Sequence, residues 1–134
     1  MDFELTEAQV ELKSAVRAVL SERCPAALAR AAVETGVLPE EPWRSAVELG
    51  WPAVAIAAEN GGLGLGFAEL ALVVEELGRS LAPGPFLATT TQFAPLIREA
   101  GDAEQRERFL GGVAAGHLTG ALAVAGPAAS GLRP

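Results

Sequence analysis

The chain has 134 residues and a formal net charge of −7, with half of its residues hydrophobic and a fifth charged. That length and apolar content exclude a disordered tail and leave room for one core, while the negative field excludes phosphate backbones and anionic membrane surfaces as partners. One Cys and one His leave no internal disulfide and no credible zinc site, and no apolar run reaches the roughly 18 residues of a membrane span.

The N-terminus, Met1-Asp2-Phe3-Glu4, lacks the basic flank and apolar stretch of a secretion signal, so a cytoplasmic protein is expected. Thr6-Glu7-Ala8-Gln9 reads as a capping box, and Ala8, Leu12, Ala15, Val16, Val19 and Leu20 follow at helical spacing until Cys24-Pro25. The Ala-rich stretch from Pro25 to Glu34 predicts a short helix that stops at Thr35-Gly36. Pro42 sits where a first helical turn tolerates it, and Trp43, Ala46 and Val47 carry that helix to Gly50-Trp51-Pro52.

Ala53 to Ala58 is ambiguous between a strand and a buried connector, and is taken as irregular; the loop Glu59-Asn60-Gly61-Gly62-Leu63-Gly64-Leu65-Gly66 follows. Phe67, Leu70, Ala71, Val74, Leu77, Gly78 and Leu81 then predict a central, well-buried helix, broken by Ala82-Pro83-Gly84-Pro85. A further helix spans Phe86 to Ala100, with a kink expected at Pro95. Asp102 caps the last one, which runs through Phe109, Leu110 and Val113 to near Gly116. From Leu118 the pattern resembles a first β-strand without a partner strand. The expected fold is therefore all-α: a compact bundle of about five or six helices over residues 1–117, with 118–134 a short extended tail or the start of a truncated β-domain.

Few residues offer chemistry. The Gly-rich loop lacks dinucleotide spacing and has no following Gly-Lys-Ser/Thr, so its glycines are read as allowing positive φ and close backbone approach. Glu75 and Glu76 are neighbours on a helix and point about 100° apart, which suits a solvated or ion-paired face rather than acid–base work. His117 reads as a surface or loop residue, Cys24 as a small, partly buried one, and Trp43 and Trp51 as packing anchors beneath the Gly-rich loop. Thr89-Thr90-Thr91 either lines a polar, ligand-facing groove or bonds back to helix carbonyls. No catalytic residue and no metal ligand is assigned.

Taken in order, Asp2-Phe3-Glu4-Leu5-Thr6-Glu7-Ala8-Gln9, Leu49-Gly50-Trp51, the loop from Glu59 to Gly66, and Val74-Glu75-Glu76-Leu77-Gly78-Arg79 resemble the N-terminal domain of the acyl-CoA dehydrogenases. Ala100-Gly101-Asp102, Glu104-Gln105 and Phe109-Leu110-Gly111-Gly112 extend the likeness to the last helix. The resemblance implies a helical domain that packs on a central β-domain and a C-terminal four-helix bundle, together holding FAD and an acyl-CoA thioester. Desaturation then proceeds by loss of an α-proton to a carboxylate of the C-terminal domain and of a β-hydride to flavin N5, the flavin carrying the redox chemistry.

By position in that order, the helix bearing Phe86, Leu87, Thr90, Thr91 and Ala94 would form one wall of the acyl pocket. Leu122, Val124, Ala125 and Ser130 would lie against the flavin. There the family pattern of Thr-Glu-Pro followed by Gly-Ser-Asp is replaced by Ala125-Gly126-Pro127-Ala128-Ala129-Ser130-Gly131-Leu132, which keeps the proline and small residues and leaves backbone N–H groups at Val124 and Ala125 to donate. The implied partners are the remaining dehydrogenase domains or a partner subunit, in an oligomer. The alternatives are a non-catalytic helical partner subunit of a heteromeric dehydrogenase and a truncated inactive fragment.

Overall fold

A computed structural model describes residues 4–124, which form a helical domain with no strand among them. Helix α1 (Glu7–Arg23) starts at Thr6, whose hydroxyl accepts from the Gln9 N–H while the Gln9 amide accepts from the Thr6 N–H, the reciprocal cap expected from the sequence. It ends at Cys24, ahead of Pro25. Helix α2 (Ala26–Thr35) closes on Gly36 in the left-handed conformation, and α3 (Glu41–Glu48) carries Pro42 in its first turn.

Single 3-10 turns at Trp51–Ala53 and Ala58–Asn60 replace any strand in the apolar stretch that follows. The Gly-rich loop folds back on this stretch, with the Leu63, Gly64 and Leu65 N–H groups donating to the carbonyls of Ala53, Ile56 and Val54 at 2.8–2.9 Å. A Cβ at Gly62 would run into the Ile56 carbonyl, so only glycine permits this approach.

Helix α4 (Phe67–Arg79) leads through the Pro83-Gly84-Pro85 turn to a continuous rod made of α5 (Phe86–Ala88), a π-turn at Thr89–Phe93 and α6 (Ala94–Ala100). The turn widens just ahead of Pro95, whose ring would otherwise press on the carbonyl four residues back; the predicted kink is absorbed this way. A sixth rod runs from α7 (Ala103–Gln105), capped reciprocally by Asp102 and Gln105, through a second π-turn at Arg106–Leu110 into α8 (Gly111–Ala114). Residues 118–124 adopt no regular element. Among the described residues, no helix is long and apolar enough to cross a membrane.

Two clusters make the core. The larger joins α1 to α4 and to the rod that follows, through Val16, Leu20, Val54, Leu70, Val73 and Phe86, with Trp51 inside it. The smaller joins Ile56, Ala94, Leu110 and Val113, with Phe93 and Leu118 packed on it. Trp43 lies edge-on to Phe86 at 6.4 Å rather than beneath the glycines, because α3 directs it toward the start of α5.

Polar side chains run beside the apolar contact of α1 with α4. Gln9 donates to Glu69 at 2.8 Å, Lys13 to Glu75 at 2.8 Å, and Arg17 grips Glu76 through both carboxylate oxygens at 2.7 and 2.9 Å. Arg79 adds a third bond to Glu76 at 2.8 Å. The two adjacent carboxylates diverge as helix geometry demands: Glu75 is exposed, whereas the Glu76 side chain is fully buried. Arg17 above all, with Arg79, outweighs the cost of burial and lowers the Glu76 pKa from 4.5 to about 2.

Because the folded-state pKa lies below the unfolded value, the ionised carboxylate stabilises the fold fully above pH 4.5, and that contribution is lost as the pH falls toward about 2. Glu76→Gln is expected to cost about 2 kcal/mol at neutral pH, the scale of a lost charge-assisted hydrogen bond. Urea unfolding across this acid range should show a shallower pH dependence for the variant than for the wild type.

Candidate functional site

The apolar stripe of α4 is wider than the core requires. Leu70 and Val73 are buried, whereas Val74, Leu77 and Gly78 keep surface exposed along one flank of the helix, Val74 and Leu77 also packing on the core. Helix α2 stands across from this flank without burying a single residue, so the space between them stays open as a groove of about 950 Å³. Its lining is almost wholly apolar, with Arg30 and Glu34 of α2 as its charged members. Val33, Leu81 and Leu87 along it are 85%, 69% and 55% exposed, an unusual density of large apolar groups left to water.

Leu81 sits at the end of α4 with φ at +51°, the one non-glycine residue in the left-handed region among those described. Its N–H donates to the Gly78 carbonyl and the next N–H, of Ala82, reaches back to Leu77, closing the helix as a glycine ordinarily would. A leucine there carries a steric cost that glycine avoids, and its side chain is held over the groove.

The five wall residues expected on the next helix divide between two faces. Phe86, Thr90 and Ala94, spaced by four, are buried, and Leu87 and Thr91, also spaced by four, lie on the outer face. Phe86 belongs to the core and also floors the groove, while Leu87 lines it directly. Thr90 and Ala94 instead border a separate cavity of about 230 Å³ between Ile56, Leu70 and Leu110, with Arg98 and Arg106 also lining it. The hydroxyls of Thr90 and Thr91 donate to the Phe86 and Leu87 carbonyls at 2.8 and 2.7 Å, the back-bonding alternative read from the sequence. Thr89, not singled out from its neighbours in the sequence, is the exception: fully buried, it bonds to Gly120 instead.

Of the residues expected near a flavin, Leu122 is partly exposed and Val124 is 80% exposed, and Ala125 and Ser130 lie outside the described residues. Residues 118–124 contain no cationic side chain. The segment therefore offers no charge to hold the phosphates of a dinucleotide. No other chemistry assembles. Glu75 is paired with Lys13 and Glu76 with the arginines, His117 is exposed, and burial pushes the Cys24 thiol pKa up, away from the reactive thiolate. Among the described residues no group of His, Cys, Asp and Glu could hold a metal.

The family model described as acyl-CoA dehydrogenase, N-terminal domain, matches residues 6–117. Among curated proteins, the acyl-CoA dehydrogenase IpdE2 of Mycobacterium tuberculosis is 38% identical over 96 residues, covering 70% of this chain and 30% of that protein. The chain thus spans less than a third of the length of this relative. Among solved structures, a variant of the Tcur3481-Tcur3483 steroid ACAD superposes with a TM-score of 0.72 at 37% identity, over 82% of this chain and 30% of that one. The ChsE4-ChsE5 complex from Mycobacterium tuberculosis superposes with a TM-score of 0.76 at 25% identity, over 89% of this chain and 33% of that one.

The groove carries a stability signature of its own. Leu81→Gly should stabilise the chain by about 0.5–1 kcal/mol in chemical denaturation, since it relieves left-handed strain at a site where the leucine buries little. The same variant should bind less of an apolar fluorescent dye than wild type, measured by titration at equal protein concentration.

Proposed function

The chain belongs to the acyl-CoA dehydrogenase family, as its N-terminal helical domain, and on that premise we propose that the groove between α2 and α4 becomes one wall of an acyl-CoA pocket. The β-domain and helical bundle that complete the site come from a longer polypeptide or from a partner subunit, and FAD resides with them. The observation that carries this reading is the open apolar groove, rimmed by Leu81 and Leu87, in a domain with no catalytic group of its own.

The acyl wall is then centred on Leu87, with Phe86 as its floor; Thr91 shares the outer face of the helix without lining the groove, and Thr90 and Ala94 support it from within. The net charge of −7 opposes the phosphates of coenzyme A, so cations that accept that end of the substrate belong to the other domains. A breadth near the upper end of small-molecule sites suits a bulky acyl group, and the 37% identity to a steroid ACAD supports the same class. The reaction such a pocket would serve is α,β-desaturation of the thioester, with FAD held by the other domains supplying the redox chemistry.

A second reading, a non-catalytic helical partner in a heteromeric dehydrogenase, is favoured by the likeness to the ChsE4-ChsE5 complex and by Ala125-Gly126-Pro127, where the family's hydroxyl and carboxylate are missing. In both readings the exposed apolar surface is covered by protein or by substrate.

The test uses the whole flavoprotein that contains this chain. Its oxidised flavin spectrum should bleach when an acyl-CoA is added anaerobically, and Leu87→Arg should raise the acyl-CoA Kd by about tenfold or more, the scale of an apolar contact replaced by a charge. Unchanged affinity in that variant would exclude the groove as the acyl wall. Bleaching that fails in every combination with flavin-bearing partners would favour the non-catalytic reading.

A further inference from the structure

Thr89 behaves differently from the two threonines beside it. Its hydroxyl donates to the Gly120 carbonyl at 3.2 Å and accepts from the Gly120 N–H at 3.2 Å, so one side chain pairs both main-chain groups of a residue 31 positions away. Thr89 has no exposed surface. The same glycine lies flat on the ring of Phe93, where a Cβ would enter the aromatic carbons. Thr89 and Phe93 are the first and last residues of the π-turn, so this irregular turn presents both of the groups that hold Gly120.

The surroundings are built to keep that contact still. Phe93 is braced edge-on by Phe109 at 6.0 Å, and Leu118 packs on the smaller core cluster beside it. An apolar site of this shape would accept valine, the near-isostere of threonine, if packing were the only demand. The hydroxyl is needed because Gly120 belongs to no helix or strand, and its N–H and carbonyl have no ladder to pair with.

We propose that Thr89 is a positioning residue that locks residues 118–122 to the helix bearing Leu87 and Thr91, so that the acyl wall and the chain leading toward the flavin side move as one body. The proposal rests on the acyl-wall reading for its functional meaning, whereas the lock itself is a property of this chain. A π-turn fits the role, since such turns place side chains at angles a regular helix does not reach.

Amide exchange on the full chain separates the two. Thr89→Val should speed exchange of the Gly120 amide and its neighbours over 118–122 by about tenfold or more, the scale of losing both hydrogen bonds to Gly120, while amides of α1 and α4 keep their protection. Thr89→Ser, which keeps the hydroxyl, should exchange like wild type. Unchanged exchange at 118–122 in Thr89→Val, or a rise spread equally over α1 and α4, would overturn the lock in favour of plain core packing.

In the whole flavoprotein, Thr89→Val should lower kcat or flavin retention with the acyl-CoA Kd unchanged, and Thr89→Ser should restore both. A loosened 118–122 segment with normal kcat and flavin retention would overturn the positioning role. Should the wild-type flavoprotein bind no acyl-CoA at all, the acyl-wall reading fails and the positioning role with it, while the exchange comparison still decides whether the lock exists.

Discussion

The grip of Arg17 of α1 on the buried carboxylate of Glu76 sets the rotation of α4, and most of the domain follows from that setting. A carboxylate without exposed surface is tolerated only where its charge is matched and its oxygens are bonded, and both conditions hold at one orientation of the helix. With Glu76 turned toward α1, helix geometry places Leu70 and Val73 in the core between the two helices. Leu77 then falls between Val73 and Leu70 on that buried face, and Val74 and Gly78 follow it round toward the flank that lines the groove. The groove is thus tied to the ion pair: turning α4 to bury its outer apolar face would pull Glu76 off Arg17.

The same logic separates what the amino-acid pattern made legible from what it did not. Local signals held, because each depends on a few adjacent residues: the Thr6–Gln9 and Asp102–Gln105 caps, the stop at Pro25, and the glycines that let the 61–64 loop fold onto Ile56. The burial of Glu76 was invisible, since nothing in Glu75-Glu76 says which carboxylate meets an arginine 59 residues earlier. Periodicity marked Phe67 and Leu81 as core, yet both are exposed, because the spacing of apolar residues shows that a face is apolar and not that this chain covers it. The π-turn before Pro95 was likewise beyond reach, as a proline in a helical run signals a disturbance without its form. Among the candidate site residues, the pattern placed all five on one helix but could not show its split into Phe86, Thr90 and Ala94 within and Leu87 and Thr91 without.

The helix from Phe86 to Ala100 joins the two halves of the functional reading. Its inner residues tie it to both core clusters, Phe86 to the larger and Ala94 to the smaller, so it cannot shift relative to either without opening a cavity. Its outer residues are left free to meet a substrate or a neighbouring domain. Thr89 sits between these duties. Back-bonding to Phe86 and Leu87 commits the hydroxyl protons of Thr90 and Thr91, so on the acyl-wall reading the outer face contributes shape and apolar area rather than a hydrogen-bond donor.

That conclusion bears on how such a domain contributes to specificity. On that reading, a wall whose hydroxyl protons are already committed discriminates between acyl groups mainly by volume and contour, and each methylene accommodated or refused is worth about 0.8 kcal/mol. Discrimination of that kind is gradual, and it is set by the few side chains that stand in the groove rather than by those beneath it. Leu81 and Leu87 hold those positions, one on a strained turn and one on a helix anchored through both cores. A side chain fixed on a rigid rod keeps its contour as ligands change, whereas one at a helix terminus is tied by two backbone hydrogen bonds and yields more readily. On the acyl-wall reading, the turn that carries Leu81, rather than the helix that carries Leu87, is therefore where the groove would adjust to acyl groups of different breadth.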